Sequence, residues 1–294
     1  MTRAAVVRRA GAAVLAAGLA FTSAGPVSAE PAAPAVGLER LDRGAATRPH
    51  AVTGWYVDAG ALVVSVRGSA AGVTEWARGL GAGPVTVEHV AEAPRPVWDL
   101  VSGQPITSGG TRCTLGFNAR SGTNRYVLSA GHCVRAGTEW QGVGGYLGPA
   151  VGSSFPSNDY GLIRVASTAA TSTALVDRYN SGSDVTVTGA ATPPVGSSVC
   201  YSSPVSGWRC GSVTGINHTV CYPQGCVNQL IRVTACPEPG ASGAPVVTNP
   251  GSGTTVRAVG LVSGGSGSCT SGGTTWVQPI AEPLSAYGLT LVTG

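Results

Sequence analysis

An all-β fold is predicted for most of this chain, and three observations predict it. Only 11% of the 294 residues are charged while 44 are glycine, a composition that suits short strands and tight turns better than helices with charged outer faces. From Val101 onward, short runs of Val, Leu, Ile, Thr and Tyr alternate with Gly- and Ser-rich turns. All eight cysteines lie in that same stretch, the first at Cys113. Periodicity alone leaves a sandwich and a pair of barrels both open.

The strands read as runs at 126–128, 162–165, 185–188, 229–233 and 257–262. Each is short, rich in β-branched residues and bounded by turn formers. Only 280–287 reads as a helix, at the C-terminal end. Upstream the texture differs. Residues 30–100 are rich in Ala, Pro and charge and carry no cysteine. Within them, 53–57 and 61–66 read as two strands around an Asp58-Ala59-Gly60 turn. Residues 69–80 read as a helix burying Val73, Trp76 and Leu80 at helical spacing, and 85–90 as a third strand. The Ala93-Pro94-Arg95-Pro96 run reads as an extended linker. The division is therefore a leader, a small α+β unit with its linker over 30–100, and an all-β domain over 101–294.

Residues 1–29 read as a secretion signal. Arg3, Arg8 and Arg9 precede an apolar run from Ala10 to Phe21, and Val27-Ser28-Ala29 ends in the small-x-small pattern of a cleavage site. The run is short for a membrane span, so no membrane attachment is expected after processing. Export also decides how the cysteines are used. An even number in an oxidising compartment argues for four disulfides, and the spacings repeat no C-x-x-C unit that would suggest zinc. No metal or organic cofactor is expected. All 18 basic residues are arginine, the net charge is only +4, and no basic run exists, so nucleic acid is excluded as a partner.

Scarcity narrows the candidate chemistry. Beyond residue 100 the chain has two histidines, His132 and His218, and three aspartates, Asp159, Asp177 and Asp184. A serine nucleophile needs a base to take its proton and an acid to orient that base. His132 follows an apolar strand in Ser129-Ala130-Gly131-His132-Cys133, and a Cys113–Cys133 bridge would lock its turn. Asp159 stands directly before an apolar run in Asn158-Asp159-Tyr160-Gly161. Ser242 lies in Pro239-Gly240-Ala241-Ser242-Gly243-Ala244, where the flanking glycines let backbone N–H groups face one point and form an oxyanion hole from Gly240 and Ser242. His218 reads as a surface strand residue.

Taken together these stretches resemble the streptogrisin and α-lytic protease branch of chymotrypsin-like serine proteases. The resemblance extends through the run from Thr111 to Asn118, Gly207-Trp208-Arg209-Cys210-Gly211, the run from Ser263 to Cys269 and Gly272-Gly273-Thr274-Thr275. It implies two six-stranded antiparallel β-barrels with a short C-terminal helix. It also implies His132 as base and acid, Asp159 as orienter and Ser242 as nucleophile, with Ser263 supporting Asp159. The implied disulfides are Cys113–Cys133, Cys200–Cys210 and Cys236–Cys269, leaving Cys221–Cys226 to close a small extra loop. Gly54-Trp55-Tyr56-Val57 and its surroundings resemble the branch's pro-region, which implies a folding aid and inhibitor that is later removed. The implied product is a secreted, extracellular, monomeric serine endopeptidase acting on proteins or peptides. A non-catalytic homologue and an esterase with the same triad are the competing readings.

One departure stands out. The family motif GDSGG reads Gly240-Ala241-Ser242-Gly243-Ala244 here. The usual aspartate is ion-paired to an arginine that follows the first cysteine of the second bridge, and here Tyr201 follows Cys200. Both charges are gone together, and replacing both members of a buried pair with apolar groups can be neutral. The resemblance further places the primary pocket among Thr234, Ala235, Pro239, Ser263, Gly264, Gly265 and Thr275. With Thr234 where trypsin-like relatives carry an aspartate, large apolar residues are expected before the cleaved bond, with Glu238 on the rim in water. Self-cleavage is expected between Leu100 and Val101, with Trp98–Asp99 as second choice.

Overall fold

Valine, threonine and glycine alternate along most of the chain, and the computed structural model, which describes residues 33–94 and 96–294, pairs those runs into three sheets. The expected signal over 1–29 lies outside the described residues. The chain divides into two compact units between Pro94 and Arg95.

In the first unit the spatial order is Val52–Asp58, Ala61–Val66, Thr86–His89. The first two strands form a hairpin, with both Ala59 and Gly60 at positive φ in the turn. The third joins parallel, which requires a crossover, and the helix Val73–Gly79 supplies it. That helix is shorter than the 69–80 expected, because Gly72 sits in the left-handed region at φ 78° and the helix begins only after it. Val73 and Ala77 reach the core, while Trp76 and Leu80 pack at its margin. A further helix, Pro34–Arg43, escaped the sequence reading. It starts with proline in its first turn, where the missing N–H is harmless, and it buries Leu41.

The second unit begins earlier than the expected boundary at 100/101. Trp98–Ser102 is a strand, paired parallel to Ala170–Val176. Leu100 is fully buried, and its carbonyl accepts hydrogen bonds from Asn118 Nδ2 (2.6 Å) and Thr173 Oγ1 (2.8 Å). An extended linker and an edge strand look alike in sequence, and only the partner strand separates them.

Six antiparallel strands close into a ring: Pro245–Thr248, Ser198–Ser203, Gly207–Tyr222, Gly225–Val233, Gly272–Pro279 and Thr255–Ser268, the last pairing back to the first. Val185–Ala190, Ala170–Val176 and Trp98–Ser102 extend this barrel to nine strands. The other sheet runs Thr290–Leu291, Phe117–Ser121, Asn124–Ser129, Tyr160–Arg164, Gly145–Ser154, Glu139–Gly142, Pro105–Ser108, Thr111–Thr114. It has eight strands instead of six, one of them the C-terminal strand, which returns after the short helix Ala281–Ala286 to pair with Phe117–Ser121.

Each sheet fills its own interior. Ile106, Leu115, Val127, Trp140, Leu147 and Ile163 fill the eight-stranded sheet, the first barrel in chain order, and Val199, Tyr201, Val213, Ile231, Val246 and Val277 fill the closed ring, the second barrel. A third cluster, including Phe117, Leu128, Leu162, Val187, Val256 and Leu261, lies between them. Apolar residues therefore point to both faces of strands such as Asn124–Ser129, where Val127 and Leu128 serve different cores. Among the described residues no helix is long and apolar enough to cross a membrane.

Candidate active site

Backbone pairing brings the first two chemical groups together. Asn124–Ser129 and Tyr160–Arg164 are antiparallel neighbours in register Ser129↔Gly161. Asp159 precedes the second strand, and His132 follows the first in the short helix Gly131–Ala136. The two therefore meet at one end of the pair. Asp159 is fully buried. Its Oδ1 accepts from the His132 backbone N–H at 2.9 Å, and His132 Nδ1 lies 3.0 Å from Oδ1 and 2.9 Å from Oδ2. The imidazole retains 31% side-chain exposure, enough for one face to meet a ligand.

A buried carboxylate needs more than one partner. Ser263 Oγ donates to Asp159 Oδ2 at 2.6 Å, and the Asp159 backbone N–H donates to Gln278 Oε1 at 2.7 Å. Gln278, itself fully buried, donates onward to Glu282 Oε2 at 2.7 Å. Gln278 was not foreseen, since nothing in its local sequence distinguishes it. Tyr222 OH lies 3.2 Å from Ser263 Oγ, and burial raises its hydroxyl pKa above the ordinary tyrosine range.

Ser242 stands on the opposite lip. Its carbonyl accepts from Thr114 N–H at 2.9 Å and lies 4.0 Å from Cys133 Sγ, the neighbour of His132. Its side chain makes no hydrogen bond within 3.5 Å among the described residues. The loop is pinned on both sides. Gly243 N–H donates to Val262 O at 2.7 Å, and Thr114 Oγ1 donates to Gly240 O at 2.8 Å. Two positions demand glycine. Gly240 has φ 100°, and a Cβ on Gly243 would fall 2.0 Å from Ser129 Oγ.

Ala241 is 1% exposed and shares the second barrel's cluster with Tyr201. Tyr201 OH donates to Cys236 O at 2.5 Å and accepts from Ser206 Oγ at 3.0 Å. A neutral hydroxyl network and apolar packing thus occupy the place where the family motif has a charge pair. Four disulfides join Cys113 to Cys133, Cys200 to Cys210, Cys221 to Cys226 and Cys236 to Cys269.

Two cavities flank the serine and histidine. One, about 230 Å³, is lined by Pro237, Glu238, Pro239, Ser242, Val262, Gly264, Gly265 and Gly267. Of the expected pocket residues, Pro239, Gly264 and Gly265 line it. Thr234, Ala235 and Thr275 do not, and Ser263 lines the second cavity instead. Thr234 is exposed, and its Oγ1 accepts from Ser212 N–H at 2.9 Å. Ala235 and Thr275 are buried behind the wall, where Thr275 Oγ1 donates to Ala235 O at 2.8 Å. The Pro237 ring lies in the cavity wall against Gly265 and Gly273. Added Cβ atoms there would come within 2.3 Å and 2.6 Å of the ring carbons. Glu238 also departs from expectation. It is half-buried in the cavity wall, and its Oε1 accepts from Cys269 N–H at 2.7 Å. The second cavity, about 540 Å³, is lined by His132, Arg135, Ala136, Phe155, Tyr222, Gln224 and Ser263. The Phe155 ring stands edge-on to the His132 ring at 5.6 Å and 6.5 Å from that of Tyr222. The position of Tyr222 inside the leftover Cys221–Cys226 loop was the signal available in the sequence. Phe155 offered none. His218 lies opposite Leu230 on the long hairpin, away from these groups. Among the described residues no cluster of three or more His, Cys, Asp or Glu side chains could hold a metal ion.

Two β-barrels with an imidazole–carboxylate pair and a glycine-flanked serine at their junction define the chymotrypsin-like serine protease class. The chain is 42% identical over 260 residues to Streptogrisin-C of Streptomyces griseus, covering 86% of this chain and 55% of that one. It is 44% identical over 182 residues to Serine protease 2 of Streptomyces fradiae, covering 60% of this chain and all of that one. The crystal structure of Thermobifida fusca Protease A superposes with a TM-score of 0.60 at 44% identity, over 67% of this chain and all of that one. No family model matches the chain. The chain belongs to the streptogrisin and α-lytic protease branch of the chymotrypsin-like serine proteases. It spans little more than half the length of Streptogrisin-C.

Proposed function

We propose that this chain is the precursor of a secreted serine endopeptidase that hydrolyses peptide bonds after apolar residues through a Ser-His-Asp triad. The observation that carries the reading is the doubly bonded Asp159. One of its oxygens takes the His132 backbone N–H and the other the Ser263 hydroxyl, while both face His132 Nδ1. That arrangement fixes the proton on Nδ1 and leaves Nε2 as the base.

In this reading Ser242 Oγ attacks the scissile carbonyl and its proton passes to His132 Nε2. The electron pair of the C=O bond moves to oxygen, where the N–H groups of Gly240 and Ser242 receive it. Collapse expels the amine, which takes the proton from His132. Water, deprotonated by the same imidazole, then releases the acyl group. No charged group other than Glu238 lines the smaller cavity. Its carboxylate is engaged by the Cys269 N–H, which supports an apolar residue before the cleaved bond. The unit before residue 95 is the pro-region in this reading, acting on the protease domain as folding aid and inhibitor.

Labelling with a serine-directed phosphonate, followed by peptide mapping, tests the assignment. Modification of Ser242 alone, with hydrolysis of peptide amides bearing Leu, Val or Phe in preference to Arg or Glu, is the expected result. Cleavage of esters without amides would instead make it an esterase, and no labelling would make it a non-catalytic homologue.

A further inference from the structure

The expected processing bond, Leu100–Val101, is not presented for cleavage. Leu100 is fully buried, its carbonyl holds two side-chain donors, and Trp98, Asp99, Leu100 and Ser102 are paired with Ala170–Val176. The protease cleft must grip several extended residues, so cutting there would strip out the whole strand. It would also leave Asn118 and Thr173 without their acceptor. We propose instead that the precursor is cut at Val97–Trp98, and that Trp98–Ser102 is kept as an edge strand of the mature enzyme. This rests on the serine-protease reading above.

The two sides of that bond differ sharply. Val97 is 81% exposed, the most exposed of the large apolar residues described. Trp98 is docked. Its N–H donates to Ala169 O at 3.0 Å, and its indole lies against Gly142 and Gly144, where added Cβ atoms would meet ring carbons at 2.4 Å and 2.2 Å. Presenting Val97 draws Trp98 and Asp99 from the start of the strand, while Leu100 and its two donors stay in place. The compact units also part at Pro94/Arg95, just upstream.

The sequence before the bond removes two of its rivals. Ala93–Pro94 and Arg95–Pro96 have proline as the leaving amine, a tertiary amide whose ring obstructs the attack and lacks an N–H. Prolines also hold the segment extended, so little entropy is lost on entering the cleft. Val97 then meets a cavity of about 230 Å³ walled in part by Pro237 and Pro239, which admits a branched aliphatic side chain. Hydrolysis adds one water across the bond. A carboxylate forms on Val97, and the new Trp98 ammonium can still donate to Ala169 O.

The full-length chain, secreted and sequenced from its mature N-terminus, should begin at Trp98. Val97→Asp should slow conversion at least about tenfold, since it places a charge in an apolar pocket. A mature start at Asp99 or Val101, or a wild-type conversion rate for Val97→Asp, overturns the proposal. So does an uncut precursor in a preparation that hydrolyses peptide amides. Absence of both conversion and amide hydrolysis would fail the function reading instead. In that case limited digestion of Ser242→Ala with an added elastase decides the junction: a resistant fragment starting at Trp98 upholds it, and one starting beyond Trp98 overturns it.

Discussion

The Ser263 hydroxyl donates to Asp159 Oδ2 across 2.6 Å, joining a strand of one barrel to a loop of the other at the point where His132 is held. The carboxylate is fully buried, so its partners decide its orientation. Removing the charge while keeping the shape should be costly. Asp159→Asn presents an amide to Nδ1 and permits the wrong tautomer, so kcat should fall about 10⁴-fold. Ser242→Ala and His132→Ala should each lose roughly 10⁴–10⁶-fold, and the double variant no more than either alone. Burst kinetics on a peptide amide, with circular dichroism to show intact folding, checks this; substantial residual turnover in Ser242→Ala would remove the serine from its role.

Tyr222 OH reaches Ser263 from the hairpin closed by Cys221–Cys226. The same hairpin touches the loop before Asp159: Ser157 N–H donates to Cys226 O and Asn228 N–H to Ser157 O, both at 2.9 Å. Tyr222→Phe removes one neutral hydrogen bond, worth about 1 kcal/mol, so kcat/KM should drop roughly fivefold with the fold unchanged. Steady-state kinetics on a substrate series varied at the residue next to the cleaved one tests whether the loss also depends on the wall formed with Phe155.

Ala241 occupies an apolar niche beside Tyr201. Ala241→Asp puts a carboxylate there without a cation, which should cost about 3–5 kcal/mol, or roughly 10 °C in Tm for a domain of this size. A variant that gained both stability and activity would show that the natural loop is impaired.

The Cys236–Cys269 bridge spans 33 residues and Cys221–Cys226 only 5. Chain entropy then assigns about 4 kcal/mol to the first and about 2 kcal/mol to the second. Paired Cys→Ser variants, unfolded in denaturant, should rank in that order; the reverse order would mean that packing at the hairpin outweighs loop entropy.

Burial raises the pKa of Tyr201 and of Tyr222. Because the folded value lies above the unfolded one, the stabilisation from these protonated hydroxyls is complete below pH 10. It is lost as pH rises through the folded values. Phenolate absorbance during alkaline titration should show both groups ionising above the ordinary range. Tyr201→Phe should flatten the alkaline fall in Tm. Ionisation of both at the ordinary value would contradict their burial.

What the sequence determined by itself was composition-level and local: an all-β domain over the cysteine-bearing part of the chain, eight cysteines confined to that part, and a very short roster of possible bases, acids and nucleophiles. His132, Asp159 and Ser242 could be picked out because each is scarce or carries small residues on both sides. The tertiary structure decided the rest, because it depends on groups far apart in the chain. Gln278 reaches the Asp159 backbone across 119 residues, and no local pattern marks it. Phe155 carries no local signal, and Tyr222 is marked only by its place in the Cys221–Cys226 loop, until the barrels set both around the cleft. Pro237 stands in the cavity wall with its ring against Gly265 and Gly273, while Ala235 and Thr275 are buried behind that wall. Trp98–Ser102 is a strand only because Ala170–Val176 lies beside it. An extended segment costs the same in a linker or a sheet edge, and its fate is settled by the partner it finds.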